Sequence, residues 1–177
     1  MSLIFEQPNL FTDFLCEDII DLFNEMNTDK SNIINIPKND NTWTKIEKIL
    51  YKNILIKLNE YKISLLNKND AGDLVNELSK SLKLQHFTIQ KYNDNIPEKF
   101  SRINSRKNVV TFILFLNKPE EGGEILFKEK IENNYETHIM FPEIGKLIIF
   151  PDNIDYIFKI NKYKGDYYVI SNQISCC

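Results

Sequence analysis

From Leu84 to the C-terminus the chain breaks into short apolar stretches of strand length, and this pattern most constrains what it can fold into. Leu84–Tyr92 alternates as a half-buried strand does. Val109–Leu116 is an apolar run of strand length, broken only by Thr111, as expected of a strand covered on both faces. Gly122-Gly123 opens another short strand that reaches Phe127. Tyr135–Phe141, Lys146–Phe150, Tyr156–Ile160 and Tyr167–Ile174 follow, parted by turn residues. Short strands in such a series bury their inner faces against one another as a sandwich or jelly roll.

Upstream the spacing is helical. Thr12-Asp13 offers an N-cap to a segment carrying Phe14, Leu15, Ile19, Ile20, Leu22, Phe23 and Met26. Residues 24–42 are rich in Asn, Asp and Lys and predict a loop around an extended piece, Ile33–Ile36. The longest helical pattern runs from Trp43 to Leu66, with Trp43, Ile46, Ile49, Leu50, Ile54, Leu55 and Leu58 on one broad face. A weaker helix is predicted over Ala71–Leu82. Helices first and strands afterwards predict an α+β fold in one domain, 1–177, a length sufficient for a real core. Residues 1–82 form its mostly helical part, packed on one sheet, and 83–177 its β core of about eight strands.

The net charge of −3 gives no reason to expect a nucleic-acid partner. No apolar run approaches the roughly 20 residues that a membrane helix needs. No signal peptide is evident, and the cysteines are only Cys16, Cys176 and Cys177, so a cytoplasmic, reducing setting is expected. Cys16 reads as a small buried helix residue. Cys176-Cys177 reads as a frayed tail, with a lipid acceptor as the alternative. Arginine occurs only at 102 and 106, while Asn, Ile and Lys abound, the imprint of an AT-rich genome such as a large DNA virus or certain protists. There is no phosphate loop, no Gly-x-Ser-x-Gly and no Cys-x-x-Cys.

The order of motifs from Leu84 onward resembles the prolyl-4-hydroxylase branch of the iron/2-oxoglutarate oxygenases. The resemblance lies in the strand ending at Tyr92, in Thr111–Asn117, in Pro119–Phe127 with its double glycine, in Pro142–Pro151 and in Gly165–Ser171. Phe11–Ile20 is similar to that family's opening helix, and the fit is poor between residues 28 and 80. The resemblance implies a double-stranded β-helix. It also implies where iron and co-substrate would sit. Such oxygenases hold Fe(II) with two histidines and one carboxylate, and a basic residue on the last strand pairs with 2-oxoglutarate. Placed by the flanking motifs, these four positions fall on Ser101, Ile103, Tyr156 and Tyr167, none of which can do the job.

Sliding the register does not restore the set. The only histidines are His86 and His138, and no arginine follows Arg106. Lys162 and Lys164 lie in a turn-like segment before Gly165. A metal site built from His86, His138 and Asp94 or Glu136 would need all to face one cavity, and ordinary hydrogen-bonded histidines are the simpler reading. No metal, cofactor or catalytic residue is therefore expected, and Tyr156 and Tyr167 are expected to fill the vacated pocket.

The resemblance then implies an inactive hydroxylase-like protein that works by binding another protein. Ile34-Asn-Ile-Pro37 and Ile46–Tyr51 are similar to the start of poxviral hydroxylase-like domains, which restrain cellular oxygen-sensing prolyl hydroxylases and modulate immunity. A cellular prolyl hydroxylase is thus one candidate partner. Lys99, Arg102, Arg106 and Lys107 form a basic group that suits an acidic partner, or simply a solvated loop. Two alternatives stand beside this reading: an active Fe(II)/2-oxoglutarate dioxygenase with an atypical site, and an unrelated jelly-roll binding module.

Overall fold

The computed structural model describes residues 2–27, 31–37, 40–84, 87–92, 101–102, 108–131, 134–152 and 156–176. The N-terminal part contains β1 (Phe5–Gln7), α1 (Asp13–Met26), β2 (Ile33–Asn35), α2 (Asn41–Leu65), a single 3-10 turn (Asn69–Ala71) and α3 (Gly72–Leu78). The strands then run β3 (Leu82–Leu84), β4 (Thr88–Tyr92), β5 (Ser101–Arg102), β6 (Asn108–Phe115), β7 (Glu121–Gly122) and β8 (Ile125–Ile131). They continue with β9 (Asn134–Met140), β10 (Leu147–Pro151), β11 (Tyr156–Ile160), β12 (Tyr163–Lys164) and β13 (Tyr167–Cys176).

The first helix begins at the expected cap, and the second begins at Asn41, two residues before the expected Trp43, because Asp40 caps it. The Thr12 hydroxyl accepts from the Leu15 amide, and Asp40 Oδ1 accepts from the Thr42 and Trp43 amides at 2.8 and 3.0 Å. The predicted apolar faces are too broad. In α1 the buried residues are Cys16, Ile19 and Phe23, while Phe14 is 81% exposed. In α2 Ile49 and Leu55 are exposed, and the buried stripe runs through Trp43, Ile46, Leu50, Ile54, Leu58, Tyr61 and Leu65. A helix laid on a flat sheet buries a narrow stripe, so residues at its margins stay wet.

The larger sheet has the order β1-β10-β6-β13-β4-β2, with β3 also paired to β13. The smaller has the order β5-β11-β8-β9. The middle of the first (β10-β6-β13-β4) and the whole of the second make the expected eight-stranded core, antiparallel throughout. The chain passes repeatedly from one sheet to the other, as in a double-stranded β-helix. The expected α+β jelly roll with N-terminal helices on one sheet is the fold observed.

The alternation within β6 and β10 explains why apolar residues occupy both of their faces, with Thr111 the polar exception inside Val109–Leu116. Val110, Phe112 and Leu114 of β6 pack toward the helices in one cluster, whereas Ile113 and Phe115 point between the sheets in the other. Leu147 and Ile149 of β10 face the helices, and Ile148 and Phe150 face the barrel. A sheet covered on both sides needs apolar residues at every position.

Several boundaries differ from the sequence reading. The weak helix stops at Leu78, because Leu82–Leu84 pairs with Ile174–Cys176. The stretch Leu84–Tyr92 is two strands, β3 and β4, both hydrogen-bonded to β13. Gly122 and Gly123 do not simply start a strand: their φ of +71° and +80° separate β7 from β8. Lys164 belongs to β12, paired with Glu121. Cys176 is no frayed tail, since it pairs with Leu82 and its thiol lies 3.1 Å from Glu77 Oε2. Cys16 is fully buried as expected, and burial pushes its thiol up to about 11. At the turn into β10, Gly145 has a φ of +71°, and a Cβ there would lie 2.1 Å from the Phe11 carbonyl oxygen. No helix among the described residues is long and apolar enough to cross a membrane.

Candidate functional site

Strand β13 brings Tyr167 to the interior of the barrel. Asn117, just beyond β6, fixes the entry of that strand from both sides. Its amide donates to the Asp166 carbonyl and its carbonyl accepts from the Tyr168 amide, each at 2.7 Å. Tyr167 between them is fully buried. Its ring stacks on Phe115, nearly coplanar at 7°, and touches Tyr92 and Tyr163 with centroids 5.4 and 5.2 Å away. Its hydroxyl donates to the Gly123 carbonyl at 3.0 Å. Burial, with the neighbouring Tyr92, Tyr163 and Glu124, raises its pKa further from the physiological range. Burial with Tyr163 pushes Tyr92 up to about 12. Both phenols are thus held neutral, which suits packing and opposes metal ligation by a tyrosinate.

Beside this aromatic group the sheets do not close completely. A cavity of about 370 Å3 lies between them. The register sets its large-sheet wall: Ser171 sits between Thr88 and Ile113, and Gln173 beside Thr111. Gln90, Tyr92 and, from the facing sheet, Phe158 complete most of the lining. Every one of these side chains is uncharged. The Thr111 hydroxyl donates to Asp152 Oδ2 at 3.3 Å, and Asp152 is buried. Burial raises the Asp152 pKa against the opposing influence of Asn108 and Thr111.

The four positions aligned with ligands and clamp are only partly described. The Ser101 backbone pairs with Phe158, whose ring lines the cavity. Tyr156 lies two residues back on the same strand, opposite Glu129. The side chains of Ser101 and Tyr156, and all of Ile103, lie outside the described residues. Of the basic group, Arg102 pairs through its backbone with Ile157, while Lys99, Arg106 and Lys107 lie outside the described residues. His86 and Asp94 also lie outside them.

His138 is described, and its partner is not one foreseen. Glu136 is exposed on β9. Instead Nε2 of His138 lies 3.1 Å from Glu129 Oε2, with side chains 15% and 10% exposed. The alternation Ile125, Phe127, Glu129 puts that carboxylate on the apolar face of β8, a signal present in the sequence. Among the described residues no three His, Cys, Asp or Glu side chains gather as a metal site. Among the described lining residues there is no imidazole or carboxylate of the kind that Fe(II) needs and no cation of the kind that 2-oxoglutarate needs.

The eight-stranded core with its flanking helices is that of the prolyl 4-hydroxylase-like 2-oxoglutarate-Fe(II) oxygenases. The solved structures it resembles include the viral collagen prolyl hydroxylase of Paramecium Bursaria Chlorella virus-1, at TM-score 0.68 and 13% identity over 99% of this chain and 90% of that one. A prolyl hydroxylase from Trichoplax adhaerens, solved with a hypoxia inducible factor peptide, superposes at TM-score 0.69 and 14% identity, covering 99% and 84% of the two chains. The Pseudomonas putida prolyl-4-hydroxylase gives 0.63 and 10%, over 100% and 89%. At such identities the likeness establishes the fold alone.

No family model matches the chain. The CRISPR-associated endoribonuclease Cas13a of Leptotrichia shahii is 30% identical over 115 residues, which is 64% of this chain and 8% of that protein. The chain thus spans under a tenth of the curated relative it matches, and a sequence so rich in Asn, Ile and Lys gains identities readily with others of similar bias.

Proposed function

We propose that this protein is a catalytically inactive member of the hydroxylase fold that acts by binding another protein. The observation that carries the reading is the burial of Tyr167 at the position aligned with the co-substrate clamp. A neutral ring stacked on Phe115 and bonded to Gly123 leaves no cation there to meet a dicarboxylate. The shortage of histidine supports it: the only histidine among the described residues, His138, is bonded to Glu129. Partner binding is supported by β9, an edge strand of the smaller sheet, which exposes Tyr135 and Ile139, with Phe141 exposed just beyond it. The group Lys99, Arg102, Arg106 and Lys107 is the proposed contact for an acidic partner, and a cellular prolyl hydroxylase is the partner to try first.

Purified protein, reconstituted anaerobically with Fe(II), is expected to retain no stoichiometric metal by mass spectrometry and to release no labelled CO2 from 2-oxoglutarate. Metal at one equivalent together with turnover would establish an active oxygenase with an atypical site instead. Titration with a purified prolyl hydroxylase domain tests the partner separately.

A further inference from the structure

We propose that the cavity between the sheets binds a small neutral polyol, of the size and chemistry of a single sugar ring. The inference rests on the reading that iron and 2-oxoglutarate no longer occupy this part of the barrel. Three observations carry it. First, the volume of about 370 Å3 lies within the range of small-molecule sites, roughly 300–1,000 Å3.

Second, the wall combines two chemistries. Ser171 offers a hydroxyl and Gln90 and Gln173 offer amides, each able to donate and accept, while Thr88 and Thr111, which donate to Asn35 Oδ1 and Asp152 Oδ2, offer acceptor oxygens. Tyr92 and Phe158 add aromatic surface, from the large and small sheet respectively. A sugar ring presents the complement, hydroxyls around its edge and C–H groups on its faces. Third, the side chains of Gln90, Ser171 and Gln173 make no hydrogen bond to another described residue. Thr111 donates to Asp152, so its oxygen is left to accept from the cavity side.

The same wall disfavours other ligand classes. An anion would meet no Lys or Arg among the described lining residues, and would sit near the buried Asp152 carboxyl. A cation would find no carboxylate among the described lining residues. A purely apolar ligand would strip water from two amides and a hydroxyl without replacing it.

The test uses the full chain with N-acetyl-D-glucosamine, methyl α-D-glucopyranoside and myo-inositol as probes, and 2-oxoglutarate as comparison, by saturation-transfer NMR and calorimetry. At least one of the three neutral probes is expected to bind. Gln90→Leu and Gln173→Leu should each weaken that binding by about tenfold, the value of one well-placed hydrogen bond. Ser171→Ala serves as a milder variant if either leucine variant misfolds. Failure of all three probes at millimolar concentration, or binding indifferent to all these variants, overturns the proposal. If 2-oxoglutarate also fails to bind, the inactive-scaffold reading survives that loss. Binding of 2-oxoglutarate displaced by none of the neutral probes would overturn both.

Discussion

The Tyr167 hydroxyl donates to the carbonyl of Gly123 across the end of the barrel, and the glycine has no room for a side chain under the ring. A Cβ at Gly123 would lie 2.7 Å from Pro119 Cγ and 3.3 Å from Tyr167 Cε1, at a φ of +80°. The double-glycine turn and the last strand are therefore fitted to each other. Tyr167→Ala is expected to cost roughly 3–5 kcal/mol, as for a large aromatic removed from a core. Tyr167→Phe should cost only about 0.5–1.5 kcal/mol, the worth of one hydrogen bond. Urea denaturation with unchanged m-values measures both, and equal losses in the two variants would refute the packing role of the ring.

Asn117 should matter more than its exposure suggests. It satisfies one carbonyl and one amide on either side of Tyr167. Asn117→Ala is expected to cost about 1–3 kcal/mol, with hydrogen exchange accelerating first at Tyr168. Unchanged protection there would show that the strand entry is held by other contacts.

Asp152 gives a pH dependence of defined sign. Burial raises its pKa in the folded state above the ordinary value of 3.8. Its charged form therefore weakens the fold, and the contribution to stability is complete below 3.8 and lost as pH rises through the folded pKa. Asp152→Asn should raise the melting temperature near neutral pH, and the gain should shrink toward zero on acidification below that value. A gain that instead grew as the pH fell would contradict this sign.

The Glu129–His138 pair is a coupling expected within the smaller sheet. Its partners are mostly buried and 3.1 Å apart. A double-mutant cycle with Glu129→Gln and His138→Gln should give an interaction energy of roughly 0.5–3 kcal/mol. Strict additivity would mean that the contact is incidental.

The sequence by itself determined the elements that rest on local periodicity and capping. Thr12 marks a helix start because its side chain satisfies an orphan amide, whatever packs on the helix later. The apolar run Val109–Leu116, broken only by Thr111, announced a strand covered on both faces, and the series of short strands announced a jelly roll. The resemblance singled out position 167, where this sequence carries tyrosine. Only the tertiary structure decided the rest, because those features depend on residues distant along the chain. Leu82–Leu84 is too short to declare itself and becomes a strand through Ile174–Cys176. Phe14 and Ile49 fit their helical faces by spacing, yet lie beyond the width of the sheet surface they approach. Glu129 gained His138 as partner through the pairing of β8 with β9. The neutral cavity exists because three strands of one sheet and one of the other bring hydroxyls, amides and two rings to a common wall, an alignment set by register and not by any local motif.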